Sequence, residues 1–156
     1  MCAEVGHLLK RGTNKLKVVS PTKLSEPLRL VGGFRVKVEG TKLTLLEPVE
    51  ANPFRLELDY PFYSGTVKYL AEFDLDGDYS SLILNLHDVR DAAAVWVNGE
   101  LVGKRLWAPY TLDIAPFAKQ GKNTLAIEVR NNMTNLLYGN PRSLGLRNSP
   151  TLAGTD

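Results

Sequence analysis

Cysteine is nearly absent. Cys2 stands alone among 156 residues, which excludes an internal disulfide and a zinc site built on cysteines. Histidine is scarce too: His7 and His87 have no motif around them that would mark a base or a ligand. No apolar run approaches the roughly 20 residues that a membrane-spanning helix needs, and no charged-then-apolar opening resembles a signal peptide. Charge of one sign is missing as well, since 19 Lys and Arg face 17 Asp and Glu for a formal +2. The basic residues are scattered and leave no polyanion footprint, so neither nucleic acid nor membrane is an expected partner. No Gly-x-Ser-x-Gly elbow occurs, and nothing asks for a cofactor. A lone cysteine is silent on redox compartment, and localisation stays open.

What is present is alternation. Phe34, Val36 and Val38 alternate with Arg35, Lys37 and Glu39, and Phe54, Leu56, Leu58 and Tyr60 with Arg55, Glu57 and Asp59. Val67, Tyr69, Ala71, Phe73 and Leu75 share one face of the next segment. Leu82, Leu84 and Leu86 follow, then Val95 and Val97, then Tyr110, Leu112 and Ile114, and finally Leu125, Ile127 and Val129. Period two over so many segments predicts half-buried strands with one face on a core. Apolar residues at 44% and charged ones at 23% are ordinary for a globular domain, and the length suits one domain. No stretch carries a 3.6 period. Residues 136–146, with Gly139, Pro141 and Gly145, read as loop. Asn98-Gly99 in "VWVNGELVG" is a hairpin signal, because a type I′ turn needs positive φ at both central residues. Short antiparallel strands joined by such turns predict an all-β fold, a β-sandwich or jelly roll.

One echo bears on organisation. "LLKRGTNKLKVV" (8–19) and "FAKQGKNTLAIEV" (117–129) share Lys-x-Gly-x-Asn-x-Leu, and each runs into an alternating strand. A Gly-x-Asn turn before a strand is common, and that accounts for the echo on one reading. On the other, residues 1–20 are the last strand of a preceding, similar domain, "SPTKLSEP" (20–27) is a linker, and 21–156 form the sandwich. Both ends read as cut from a longer chain.

Candidate chemistry is thin. "FDLDGDYSSLILN" (73–85) places Asp74, Asp76 and Asp78 at alternate positions, like a calcium loop. Counted from Asp74, however, the sixth position is Tyr79 where glycine is required, and the twelfth is Asn85 where a bidentate glutamate is required. A hairpin tip kept soluble by aspartates is the expectation, and no metal ligand is assigned. "GELVGKR" (99–105) has its glycines one residue too close for a phosphate loop, and Arg105 replaces the required hydroxyl residue. Asp88, Asp91, Glu100 and Asp113 could supply a glycosidase pair, yet each falls at a strand end or turn where an acid caps backbone. No catalytic residue is assigned. Asn132 opens a formal glycosylation sequon, of consequence only in a eukaryotic secretory setting. The aromatics lead further. Trp96 alternates against Val95 and Val97 and should point outward, to stack on a sugar ring or to meet a neighbouring domain. Trp107 is expected to pack over the sandwich edge. Trp96, Arg105, Trp107 and Tyr110 are the candidate carbohydrate contacts.

Several motifs in one order carry a resemblance: Tyr63-Ser64-Gly65 before a long strand, Val97-Asn98-Gly99, Gly103, Trp107, Pro109-Tyr110, Asp113-Ile114, Gly121-x-Asn123 and Asn135-Leu136. Over residues 62–139 the chain resembles the non-catalytic jelly-roll, galactose-binding-domain-like domain of glycoside hydrolase family 2 and related multidomain glycosidases, including large α-L-rhamnosidase-like enzymes. "EPLRLVGGFRV" (26–36) extends the match toward the start. The resemblance implies an accessory domain, with the acid and nucleophile on a separate (β/α)₈ barrel of the same polypeptide and none on this chain. Its role would be to support that catalytic domain or to contact carbohydrate. A free-standing carbohydrate-binding or adhesion module and a small hydrolase are the alternatives.

Overall fold

The computed structural model describes residues 3–25, 28–50, 60–138 and 145–155. These fall into two compact units, Met1–Gly32 and Gly33–Asp156.

In the larger unit, strands form where the alternation predicted them. β1 (Arg35–Glu39) and β2 (Lys42–Leu46) make a hairpin, followed by β3 (Thr66–Leu75), β4 (Ser81–Asn85) and the short β5 (Val89–Arg90). β6 (Ala92–Val97), β7 (Glu100–Arg105), β8 (Thr111–Asp113) and β9 (Gly121–Arg130) come next. A one-turn helix, α1 (Thr134–Tyr138), precedes β10 (Gly145–Leu146) and β11 (Thr151–Thr155). One sheet has the order β3-β9-β6-β7 and another β11-β4-β8, all antiparallel, and β10 pairs with β5. The fold is an all-β sandwich, as the period-two segments predict.

The core lies where the inner faces meet. Val67 and Tyr69 of β3, Val95 and Val97 of β6, and Leu125, Ile127 and Val129 of β9 come from the four-stranded sheet. Leu82 and Leu84 of β4, Leu86 just beyond it, Leu112 of β8 and Ile114 cover them from the second sheet. β9 is the spine, since it is paired along its whole length by β3 on one side and from Leu125 to Arg130 by β6 on the other. Side-chain period and pleat agree there, so every second residue is removed from water.

Three expectations need correction. The hairpin β1–β2 forms, but its Val38, Leu43 and Leu45 remain exposed instead of facing a core. The Asp-rich tip is not a hairpin turn, because β3 and β4 belong to different sheets and the tip carries the chain across the sandwich. Residues 136–146 are not all loop, since α1 and β10 occupy its two ends. Residues 15–20 pair with no strand among the described residues. The strand expected around Phe54–Leu58 lies outside the described residues.

Candidate functional site

The shared motifs are built on amides. Asn98 has φ +51 and Gly99 φ +84, the two positive values that the turn between β6 and β7 demands. The Asn98 side chain then reaches across the sandwich end: its Nδ2 donates to Phe117 O at 2.9 Å and to Asn123 Oδ1 at 2.8 Å, and its Oδ1 accepts from Thr124 N at 3.0 Å. Asn123, fully buried, closes the loop ahead of β9 by accepting from Lys119 N and donating to Lys119 O and Gly121 O. At the opposite end of β9, Asn131 accepts from Gly65 N at 2.8 Å and donates to Tyr63 O at 2.9 Å. The Tyr63 hydroxyl donates to Thr66 O at 2.7 Å. Tyr63-Ser64-Gly65 and Asn98-Gly99 are thus clamps that hold both ends of the central strand. Each buried amide satisfies backbone groups that no strand could pair. Asn131 was not singled out by the sequence, although its partners Tyr63 and Gly65 were; the signal available was the doubled Asn131-Asn132 immediately after an alternating strand. Asn135 is buried in α1, and neither polar atom of its side chain has a hydrogen-bond partner among the described residues.

The carboxylates are committed in the same way. Asp113 accepts from Leu82 N and Ala115 N, both at 3.0 Å, and from the Ser81 hydroxyl at 2.9 Å. These bonds, with Leu82 N–H contributing most, lower its pKa below the usual aspartate range. Asp91 accepts from Asn132 N at 2.8 Å, and Asp88 pairs with Arg90 at 3.0 Å. Glu100 is exposed in the β6–β7 hairpin. At the Asp-rich tip, Asp76 accepts from the Tyr79 hydroxyl at 2.7 Å, and its carbonyl accepts from Gln120 Nε2 at 3.2 Å. Among the described residues, His, Cys, Asp and Glu form no group of three that could hold a metal. A cleft of about 140 Å³ beside the tip is lined by Leu75, Asp78, Tyr79 and Lys119 among others, small against the roughly 300 Å³ at which ligand pockets begin.

The four carbohydrate candidates do not converge. Trp96 is half-buried; in register with Leu101 of β7 and Ala126 of β9, it lies on the outer face of the four-stranded sheet. Arg105 is in register with buried Ala93, hence on the other face, where its Nε donates to Thr111 O at 2.9 Å. It braces the connection between β7 and β8. Tyr110 is tied down by its hydroxyl, which donates to Asp91 O at 2.8 Å. Trp107 is 73% exposed and its neighbour Leu106 62%, so the expected packing of Trp107 over the sandwich edge does not occur. Three of the four thus flank or occupy one connection, residues 105–110, where Leu106 and Trp107 are the exposed large apolar side chains.

No protein-family model matches the chain. The rhamnosidase from Novosphingobium sp. PP1Y is similar over 84% of this chain and 16% of its own, with 29% identity and a TM-score of 0.57. The β-galactosidase of Halalkalibacterium halodurans is 35% identical over 65 residues, which are 39% of this chain and 6% of that enzyme. The β-galactosidase of Priestia megaterium is 31% identical over 81 residues, 47% of this chain and 8% of that enzyme. The chain therefore spans a small part of each relative. Its sandwich is similar to a β-domain of glycosidases related to glycoside hydrolase family 2, as the motif order implied.

Proposed function

We propose that the chain is a non-catalytic accessory domain of a multidomain glycosidase, a jelly-roll sandwich of the galactose-binding-domain-like kind that supports a catalytic barrel on the same polypeptide. The observation that carries this reading is the lopsided match: most of this chain corresponds to a sixth or less of a much larger rhamnosidase. The side-chain chemistry supports it. Asp88, Asp91 and Asp113 are held by an ion pair or by backbone N–H groups, a role in the fold and not in proton transfer. Leu106 and Trp107 offer an apolar tip of the sort that one domain presses against another. The test is made in the parent polypeptide. Replacing both residues with serine is expected to lower its activity or melting temperature while leaving the isolated sandwich unchanged. An open reading frame that encodes no barrel, or a parent enzyme indifferent to the double replacement, would defeat the supporting role.

The exposure of Trp107 favours a second reading, direct contact with carbohydrate, in which the indole face stacks on a sugar ring. Calorimetric titration of the isolated chain with oligosaccharides separates the two. Binding that disappears in Trp107→Ala would make it a carbohydrate-binding module, and a chain without affinity keeps it a support.

A further inference from the structure

The echo between residues 8–19 and 117–129 is also an echo in three dimensions, and it begins before the shared letters. A 3₁₀ turn spans Gly6–Leu8 in the smaller unit and Ala115–Phe117 in the larger. The residues that open them share a backbone conformation, Val5 with φ −123, ψ 0 and Ile114 with φ −106, ψ −1. Leu8 N donates to Val5 O at 2.9 Å as Phe117 N does to Ile114 O at 3.0 Å, and Leu9 N to Gly6 O at 3.2 Å as Ala118 N does to Ala115 O at 3.3 Å. The loops then close identically. Asn14 Oδ1 accepts from Lys10 N, and its Nδ2 donates to Lys10 O and Gly12 O at 2.7 and 3.0 Å. Asn123 makes the same three bonds to Lys119 N, Lys119 O and Gly121 O. Gly12 has φ +95 and Gly121 φ +81, a conformation only glycine adopts without strain. A lone Gly-x-Asn turn would explain the loop, but not the preceding 3₁₀ turn at the same spacing.

The consequences downstream are opposite. After Asn123 the chain enters β9, with Leu125 and Ile127 buried and both edges hydrogen-bonded. After Asn14, Leu16 and Val18 hold the equivalent places yet are 63% and 48% exposed, and no strand pairs with them among the described residues. Leu8 and Leu9 are exposed too, where their counterparts Phe117 and Ala118 pack against the core. We propose that residues 3–19 are the closing corner and central strand of a second sandwich of the same kind. The strands that flank it come from the same polypeptide ahead of this segment, and Leu16 and Val18 insert between its two sheets. The chemistry of those strands follows from β9. Its outer face is matched in charge to β3 through Lys122–Glu72 at 3.6 Å and Lys68–Glu128 at 3.5 Å. Lys15 and Lys17 alternate with Leu16 and Val18, so the flanking strands should be apolar inward and carry carboxylates outward. This inference does not depend on the accessory role proposed above.

The experiment compares amide hydrogen exchange in this chain and in the natural polypeptide extended by its upstream coding sequence. Amides 15–19 are expected to gain at least about a hundredfold protection in the extended polypeptide, approaching that of 125–129. Val18→Asp should abolish the gain, and Lys17→Asp on the opposite face should largely keep it, with 125–129 unaffected in both as the internal control of folding. Equal exchange of 15–19 in the two polypeptides overturns the proposal, as does a stop codon shortly upstream. Concentration-dependent protection in this chain alone also overturns it, because the flanking strands would then come from a second copy.

Discussion

The hairpin β1–β2 and the spine β9 carry the same alternation and meet different fates. Val36 and Val38 face Leu45 and Leu43 across the hairpin, as Leu125, Ile127 and Val129 face their partners on β3 and β6. Among the described residues the hairpin pairs only with itself and leaves Val38, Leu43 and Leu45 exposed, whereas β9 has a strand on each side and a second sheet over its inner face. A period of two therefore specifies extended backbone with one apolar face. Whether that face is removed from water depends on a second layer, which the strand itself does not encode.

The largest difference should appear on truncation. Ile127→Ala opens a cavity under β9 and is expected to cost about 2–5 kcal/mol by denaturant unfolding. Next come the clamps: Asn123→Ala strips partners from Lys119 and Asn98 in a buried corner and should cost about 2–3 kcal/mol. Asn14→Ala, which breaks the same bonds in an exposed loop of this chain, should barely register in the same measurement.

A third test uses pH on Asp113. Its pKa is depressed in the fold, so its stabilising contribution is complete above the ordinary aspartate range and is lost as pH falls through the lowered folded value. Asp113→Asn should melt lower than the native chain at neutral pH, and the difference should shrink on acidification below about pH 4. A constant difference across that range would mean that its bonds to Leu82 and Ala115 owe nothing to the charge.

A similarly small effect is expected at the hairpin. Leu43→Ala should change stability by no more than about 0.5 kcal/mol. If it costs as much as Ile127→Ala, the apolar face of β1–β2 is covered in solution and the contrast with β9 fails.

The same contrast explains what could be read in the sequence. Core strands were legible because alternating Leu, Ile and Val left no other face to bury, and Asn98-Gly99 named its own turn. The path of the Asp-rich tip was not legible: turn residues show that the chain bends, but not whether it returns to its own sheet. Nor were the bonds of Arg105 and Tyr110, whose side chains donate to the carbonyls of Thr111 and Asp91. Such bonds follow from the folded backbone, and residue type alone suggested ligand contact. Trp107 erred the other way, exposed where packing was expected.

The accessory role proposed above makes this chain a support for catalysis that it does not itself perform. Its most direct test is hydrolysis of a panel of aryl glycosides by the purified chain beside the parent polypeptide. Turnover is expected from the parent and none above the buffer blank from the chain. Turnover by the chain that vanishes on replacing Asp88, Asp91, Glu100 or Asp113 with the corresponding amide, in a variant that still melts cooperatively, would contradict it.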